Sequence, residues 1–437
     1  MTQVQIPASP GWSGPVGRRL GGLAVARLVA QGIGFVWFVV AARVLGQAEF
    51  GRLAGGLTLV FILGALSDLG LTRTITRVVA VDPESLRSVY LGAVRRRLFS
   101  GAVLGAATLA LPVDTEIVLA AGLIALASGM TELAFASLRA VGLVRLEMLL
   151  LVVERIAFVV IAGLLLAHGT SAEALLWAYL VTNLGSAVIG ATVIARRGGA
   201  MRPVARADIR LLDPVGRWTA VASTLNLLAP RLVVGSALVV APATVVASVS
   251  VSQKPAEALA ALVLSIGAPL TAMIASERDA DSRRRRISSS WRITWLLTAA
   301  LVPLAAVAVW WGDEPLAALV GFESGSRLGL VMGLFLLAVP LATARLVAES
   351  ELLADRRARV LAAASLVSVT VIVGSAVFGV RSAVGFAVAA LVAEGLALTT
   401  VCVARLTSVT PSNHPDVGAE LGGDLTGDGV QPSQHGG

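Results

Sequence analysis

Residues 43–77 read RVLGQAEFGRLAGGLTLVFILGALSDLGLTRTITR, and this stretch decides the fold class. One apolar run ends near Arg43, a tight LG…FG turn follows through Gly46, Phe50 and Gly51, and a second apolar run begins. The second run stops at Asp68-Leu69-Gly70-Leu71, with Arg73 and Arg77 just beyond it. An acidic residue and a glycine close a helix, and arginines past its end mark the face of a membrane. The rest of the chain has the same character. A mean hydropathy of +0.84, with 56% hydrophobic and only 14% charged residues, excludes a soluble globular chain of 437 residues.

Runs of about twenty apolar residues, the length that crosses a ~30 Å hydrocarbon core, mark the spans. Twelve occur, near 20–45, 50–70, 92–113, 116–138, 146–167, 172–194, 217–239, 243–275, 289–311, 326–348, 358–380 and 383–405. The eighth is too long for a straight crossing and contains Pro255, so it is expected to kink or overhang. Barrel strands are shorter and alternate apolar with polar residues, which leaves a helical bundle. The expectation is an all-α, polytopic membrane protein of about 12 transmembrane helices.

Charge sets the orientation. Of 35 basic residues, 34 are Arg and one is Lys254. With the N-terminus inside, 26 of them fall on inner segments and four (Arg43, Arg52, Arg327, Arg381) on outer ones. That bias holds across all twelve spans and puts both termini in the cytoplasm. The arginines are dispersed over short connections without interleaved aromatics, so the high pI reflects topology and not nucleic-acid binding.

The arginine-rich connection 195–213, ARRGGAMRPVARADIRLLD, divides the spans six and six. The expected parts are a flexible cytoplasmic N-terminus over 1–19, a six-helix lobe over 20–194 and the linker over 195–213. A second six-helix lobe covers 214–406, and an acidic Gly/Ser/Pro tail covers 407–437. Asp213-Pro214 opens the seventh helix, as Asp82-Pro83-Glu84 opens an inner amphipathic helix before the third span. The first apolar run is long enough to serve as an uncleaved anchor, and a cleavable signal peptide is not expected. Glycine pairs at helical spacing, Gly51 with Gly55 and Gly101 with Gly105, read as close-packing points between helices.

In its order of elements the opening stretch resembles the polysaccharide-biosynthesis flippases, Wzx-like members of the superfamily that also holds multidrug/toxin-extrusion antiporters and lipid II flippases. Gly46, Phe50, Gly51, Asp68, Gly70, Arg73 and Arg77 carry the resemblance, which covers roughly the first eighty residues. Over the remainder, length and span count agree. The resemblance implies a two-lobed transporter made of repeated halves, with a lipid-linked oligosaccharide as cargo. It also implies membrane lipids, a polysaccharide polymerase and glycosyltransferases as partners, and a bacterial cytoplasmic membrane as location. The motif residues read as structural: Asp68 ends the second span and pairs with Arg73 or Arg77.

Ionisable groups inside spans each cost roughly 2.5–3.5 kcal/mol at a helix centre, so they face a cavity or a partner. Arg231 follows Pro230 and stands about 21 Å up the seventh span from Arg217. Lys254, beside Pro255, is central in the eighth span and shares a helix face with Glu257. On the transporter reading, Arg231, Lys254 and Arg27 hold a diphosphate, with Arg345 near the inner mouth. Arginine grips phosphate oxygens bidentately and lysine acts as a point charge. Asn183 and Asn226, at mid-span, contact sugar hydroxyls or bond across helices. Glu154 and Glu394 are the candidates for ion or proton coupling. The alternative for all of these charges is pairing within the protein or snorkelling to the headgroups.

The sequence holds no phosphate-binding GxxxxGK[ST] loop, no His/Cys cluster for a metal and no hydrolytic triad, so neither enzyme activity nor a cofactor is expected. A cation-coupled multidrug exporter is the main rival, though it favours acidic and aromatic midplane groups and this chain has 5% aromatics. A membrane polysaccharide polymerase or ligase needs a large outer domain, and the longest expected outer loop is 312–326.

Overall fold

The computed structural model describes residues 15–68, 70–110, 112–197, 214–276, 280–323, 325–354 and 357–407. The expected tail, most of the linker and the first fourteen residues lie outside this set, as do the side chains of Arg27, Arg73 and Arg77.

Helix α1 runs Pro15–Asp68 and is broken at Gly46, whose φ of 74° is open to glycine and costly for other residues. The break reverses the chain. Phe38 and Phe50 would stand about 18 Å apart along a straight helix, yet their rings meet edge to face at 4.6 Å. The arms 15–45 and 47–68 are therefore two spans joined at one glycine, where the sequence suggested a short loop.

A short helix, α2 (Leu71–Val81), follows Gly70, which caps it at φ 81°. Its apolar face, Leu71, Ile75 and Val79, is buried at helical spacing. Asp82 comes after this amphipathic helix, not before it, and a single 3₁₀ turn at Pro83–Ser85 leads directly into α3 (Leu86–Thr108). The expected order of these two features was inverted, and the third span starts earlier than its apolar run because Arg87 and Arg95–Arg97 belong to its first half.

The first lobe continues with α4 (Thr115–Ala140), α5 (Val144–Ala167) and α6 (Ala172–Arg197). The second comprises α7 (Pro214–Val240), α8 (Ala243–Ser276), α9 (Ala280–Trp311), the short α10 (Asp313–Val320), α11 (Leu328–Ala354), α12 (Ala358–Val377) and α13 (Ala383–Leu406). Helix α8 is continuous over 34 residues, about 51 Å, and so overhangs a ~30 Å core. Among the described residues, nine helical segments are long and apolar enough to cross a membrane, the first of them running from Gly32 through the break to Asp68. With α3 and α8, the twelve expected spans are all present as helices.

Within the first lobe α4 packs on α6, α3 and α2, and α1 packs on α4 and α5. In the second, α11 lies against α8, α9 and α13, while α12 lies against α7 and α13. The lobes meet where α1 packs against α7 and α8. Helix α5 shows how the sequence assigns its faces. Leu149, Val153, Ile156, Val160 and Leu164 form an exposed apolar stripe suited to lipid, while Leu150, Glu154, Phe158, Ala162 and Leu166 are buried. Its one mid-span carboxylate thus faces the protein.

Small residues bring the lobes together at the end away from the arginine-rich connections. A Cβ on Gly51 would lie 1.9 Å from the Ala243 carbonyl oxygen, and one on Gly55 would lie 2.5 Å from Leu238. Gln47 Nε2 donates across the seam to the Thr244 carbonyl and to Ser248 Oγ, both at 3.1 Å. Beside it Arg52 ties the first lobe together through Glu49 at 2.9 Å and Asp114 and Glu173 at 2.6 Å.

Candidate functional site

Halfway along the seam, three charged side chains of the second lobe converge. Arg231 on α7 and Lys254 on α8 both reach Glu257, one turn further along α8. Arg231 Nη1 stands 2.6 Å from Oε1, and Lys254 Nζ stands 2.8 Å from Oε2. Gln253 Nε2 donates to the Pro230 carbonyl at 2.8 Å, which fixes α8 to α7 beside the cluster. The first lobe supplies aromatic faces. The Arg231 guanidinium lies 4.5 Å from the Phe61 ring centre and the Lys254 ammonium 4.9 Å from that of Phe38. Rings over cations stabilise charge without neutralising it, so two cations and one carboxylate leave a net positive site between the lobes.

Further into the first lobe, Arg155 Nη1 donates to the Tyr179 hydroxyl at 3.2 Å, with its guanidinium 5.6 Å from that ring. Tyr179, Phe158 and Trp37 continue as a row of rings in edge-to-face and tilted contact, with centroids 5.0 and 4.6 Å apart. Glu154 is 7% exposed and hydrogen-bonded to Ser186.

The other predicted residues gather elsewhere. Arg345 lies inside the second lobe, 3.2 Å from Glu394 on α13 and 3.4 Å from Glu349 on its own helix. Its Nη1 also donates to Ser368 at 3.3 Å. Asn226 joins the same network, donating to Glu349 at 3.4 Å and accepting from Ser365 at 2.8 Å. Asn183, 2% exposed, donates to the Tyr179 carbonyl at 2.9 Å, and its own carbonyl accepts from Thr131 at 3.0 Å. Exposure separates the two groups. The side chains of Arg231 and Lys254 are 27% and 25% exposed, against 9% for Arg345, whose partners are in place. The sequence assigned Arg345 to phosphate and Glu394 to ion coupling; the structure makes them an ion pair.

The motif residues organise the first lobe and its seam. Phe50 is fully buried between Phe38 and Phe322. Asp68 Oδ1 accepts from Arg97 Nη1 at 2.9 Å and from Thr72 Oγ1 at 2.6 Å. The proposed partners Arg73 and Arg77, and Arg27 of the diphosphate set, lie outside the described side chains.

Sequence reading missed Glu349, Arg97 and the two phenylalanines. Glu349 was visible as the i+4 neighbour of Arg345. Phe38 and Phe61 carried no signal, because only the packing of one lobe on the other gives those rings a cation. Among the described residues no group of three or more His, Cys, Asp or Glu side chains is arranged to hold a metal ion.

A family model described as polysaccharide biosynthesis protein matches residues 16–231, the first lobe and the start of the second. No curated protein matches the chain. Several solved structures share the fold. One is the inward-facing conformation of a multidrug resistance MATE family transporter of the MOP superfamily, with a TM-score of 0.64 at 13% identity, covering 88% of this chain and 96% of that one. An outward-facing conformation of such a transporter gives 0.58 at 13% identity, over 91% and 98% of the two chains. A MOP superfamily transporter from Pyrococcus furiosus, whose binding pocket is described as reversed in polarity, gives 0.58 at 12% identity over 90% and 96%. At such identities the likeness is one of fold: twelve helices in two lobes.

Proposed function

We propose that this chain, whose residues 16–231 match a polysaccharide biosynthesis family model and whose fold is that of MOP superfamily transporters, is a flippase that moves polyprenyl-diphosphate-linked oligosaccharide across a bacterial cytoplasmic membrane. The cargo passes from the inner to the outer leaflet, and both termini of the protein are cytoplasmic. The observation that carries this reading is the partly exposed pair Arg231 and Lys254, set between the lobes with a net positive charge.

A diphosphate with sugars cannot cross hydrocarbon unaided, since each buried charge costs far more than the tail recovers. Arg231 offers the phosphate a planar fork and Lys254 a point charge, each backed by an aromatic ring instead of a second anion. The sugars travel in the cleft between the lobes while the polyprenyl tail stays in lipid. Rocking of one lobe against the other exposes the cluster to each face in turn. The Gly51–Ala243 and Gln47–Thr244 contacts are the closed outer end in this scheme. Glu394 and Glu154 are the groups we assign to ion coupling. Glu394 has the firmer case, because Glu349 and Glu394 share one guanidinium and leave a negative charge for a proton or monovalent cation.

The test is transbilayer movement of a fluorescent polyprenyl diphosphate-oligosaccharide in liposomes. Wild type should move it. Arg231→Ala, at equal membrane abundance, should lose on the order of tenfold or more in rate, as expected for losing a charge-assisted contact of about 1.5–3 kcal/mol. Equal transport by the two proteins removes Arg231 from the site. A wild type inactive on every such lipid but active on cationic drugs establishes the multidrug-exporter alternative.

A further inference from the structure

Glu257 divides its carboxylate oxygens between two cations, one oxygen to Arg231 and the other to Lys254. Two oxygens of one anionic group, each held by a different cation, is also how an arginine and a lysine share a tetrahedral phosphate. Here the group in that position comes from the chain itself. Lys254 and Glu257 are i and i+3 on α8, and Gln253 pins α8 to α7. The carboxylate therefore spans both cations without strain on its own helix.

We propose that Glu257 is a built-in stand-in for the phosphate of the cargo: it bridges Arg231 and Lys254 in the empty site, offsetting one of their two charges, and is displaced when a phosphorylated head group binds. This rests on the reading of Arg231 and Lys254 as the phosphate contacts. Two properties follow. The first is selectivity. To unseat a carboxylate already in place, a ligand must bring more charge to both cations. A phosphomonoester or diphosphate does so, and an uncharged lipid or a monocarboxylate does not. The second is release. The displaced carboxylate stays tethered within a turn of the bound phosphate, repels it and competes to return, so the head group is held only as tightly as a transporter that must let go of it requires.

The competition sets a quantitative expectation. Apparent affinity falls by the fraction of time the two cations are free of Glu257. The probe is farnesyl diphosphate, with farnesol as the uncharged control, titrated calorimetrically into full-length protein in lipid nanodiscs. Glu257→Gln should bind farnesyl diphosphate about tenfold more tightly than wild type, the effect of removing a competitor that occupies the site roughly nine-tenths of the time. Farnesol should bind all variants alike, and in the liposome assay Glu257→Gln should move cargo more slowly because release is delayed. Should Glu257→Gln fail to fold, Glu257→Asp serves: one methylene shorter, it spans the cations poorly and should also bind the diphosphate more tightly than wild type. Equal or weaker binding by the folded variants, with Arg231→Ala still abolishing binding, overturns the stand-in role and leaves the phosphate site intact. No binding of farnesyl diphosphate by any form overturns both.

Discussion

Arg97 is 1% exposed, and the space it occupies exists because residue 129 is glycine. A Cβ at position 129 would lie 2.1 Å from the Arg97 Nε, inside any tolerable contact. From that slot the guanidinium reaches Asp68 at 2.9 Å, the Gly64 carbonyl at 3.0 Å and Glu132 at 3.4 Å, joining α1, α3 and α4. Gly129→Ala should push the guanidinium out of this slot and destabilise the first lobe by about 1–3 kcal/mol, the usual range for overpacking. Thermal melting in detergent checks it, with Gly92→Ala, whose Cβ meets nothing within 4 Å, as the unshifted control. An unchanged melting temperature for Gly129→Ala removes the slot argument. This site also shows where sequence reading stops at the residue scale. Asp68 was recognised as structural, and its partner was sought among the nearest arginines. Among the described side chains it pairs with Arg97, 29 residues away and the one buried member of the run Arg95-Arg96-Arg97. Consecutive residues on a helix point about 100° apart, so composition announces three arginines and only the neighbouring helices decide which one turns inward.

Elements were more legible than pairings. Each of the twelve apolar runs became a helix, because a chain in hydrocarbon has to satisfy its backbone within the segment and the length of the run is set by the bilayer. What escaped was local. Asp82-Pro83 was taken to start a helix, but the amphipathic face of Leu71, Ile75 and Val79 precedes it, and a proline after an aspartate opens a turn as readily as a helix. The glycine pair 51 and 55 was recognised as a close-packing point, without its partner. The partner is the seam between the lobes, which gives a prediction for the element. Gly51→Ala places a methyl carbon against the Ala243 carbonyl, a backbone atom that cannot swing aside. The arm 47–68 should then move off α8 and break the Gln47 bonds to Thr244 and Ser248. With Cys402 replaced by Ser and Ser248 by Cys, labelling by a membrane-impermeant maleimide should be several-fold faster in Gly51→Ala than in its parent. Gly34→Ala, with open space around its Cβ, should not change it. Equal labelling in all three would mean that this contact does not hold the outer end closed.

At the scale of the molecule, two independent sets of residues give the position in the membrane. On α9 the exposed Trp295 and Trp311 stand sixteen residues apart, about 24 Å along the axis, within the ~30 Å of a hydrocarbon core. Below Trp295 the same helix carries Arg283–Arg286, and beyond Trp311 come Asp313 and Glu314 without a basic residue until Arg327. On our reading the tryptophans mark depth and the arginine asymmetry marks direction. The even number of spans then requires both ends of the bundle on one face, and 26 basic residues against four make that face the cytoplasm on our reading. A fluorescent protein that matures only in the cytoplasm, fused after Thr407, should glow. Alkaline phosphatase, active only outside, should be active when inserted between Gly321 and Phe322 and inactive after Thr407. The opposite pattern would invert the bundle. It would put the closed Gly51–Ala243 end at the cytoplasm, so that the cleft between the lobes opens outward and the Arg231–Lys254 pair takes its ligand from the outer leaflet: an importer's geometry instead of an exporter's.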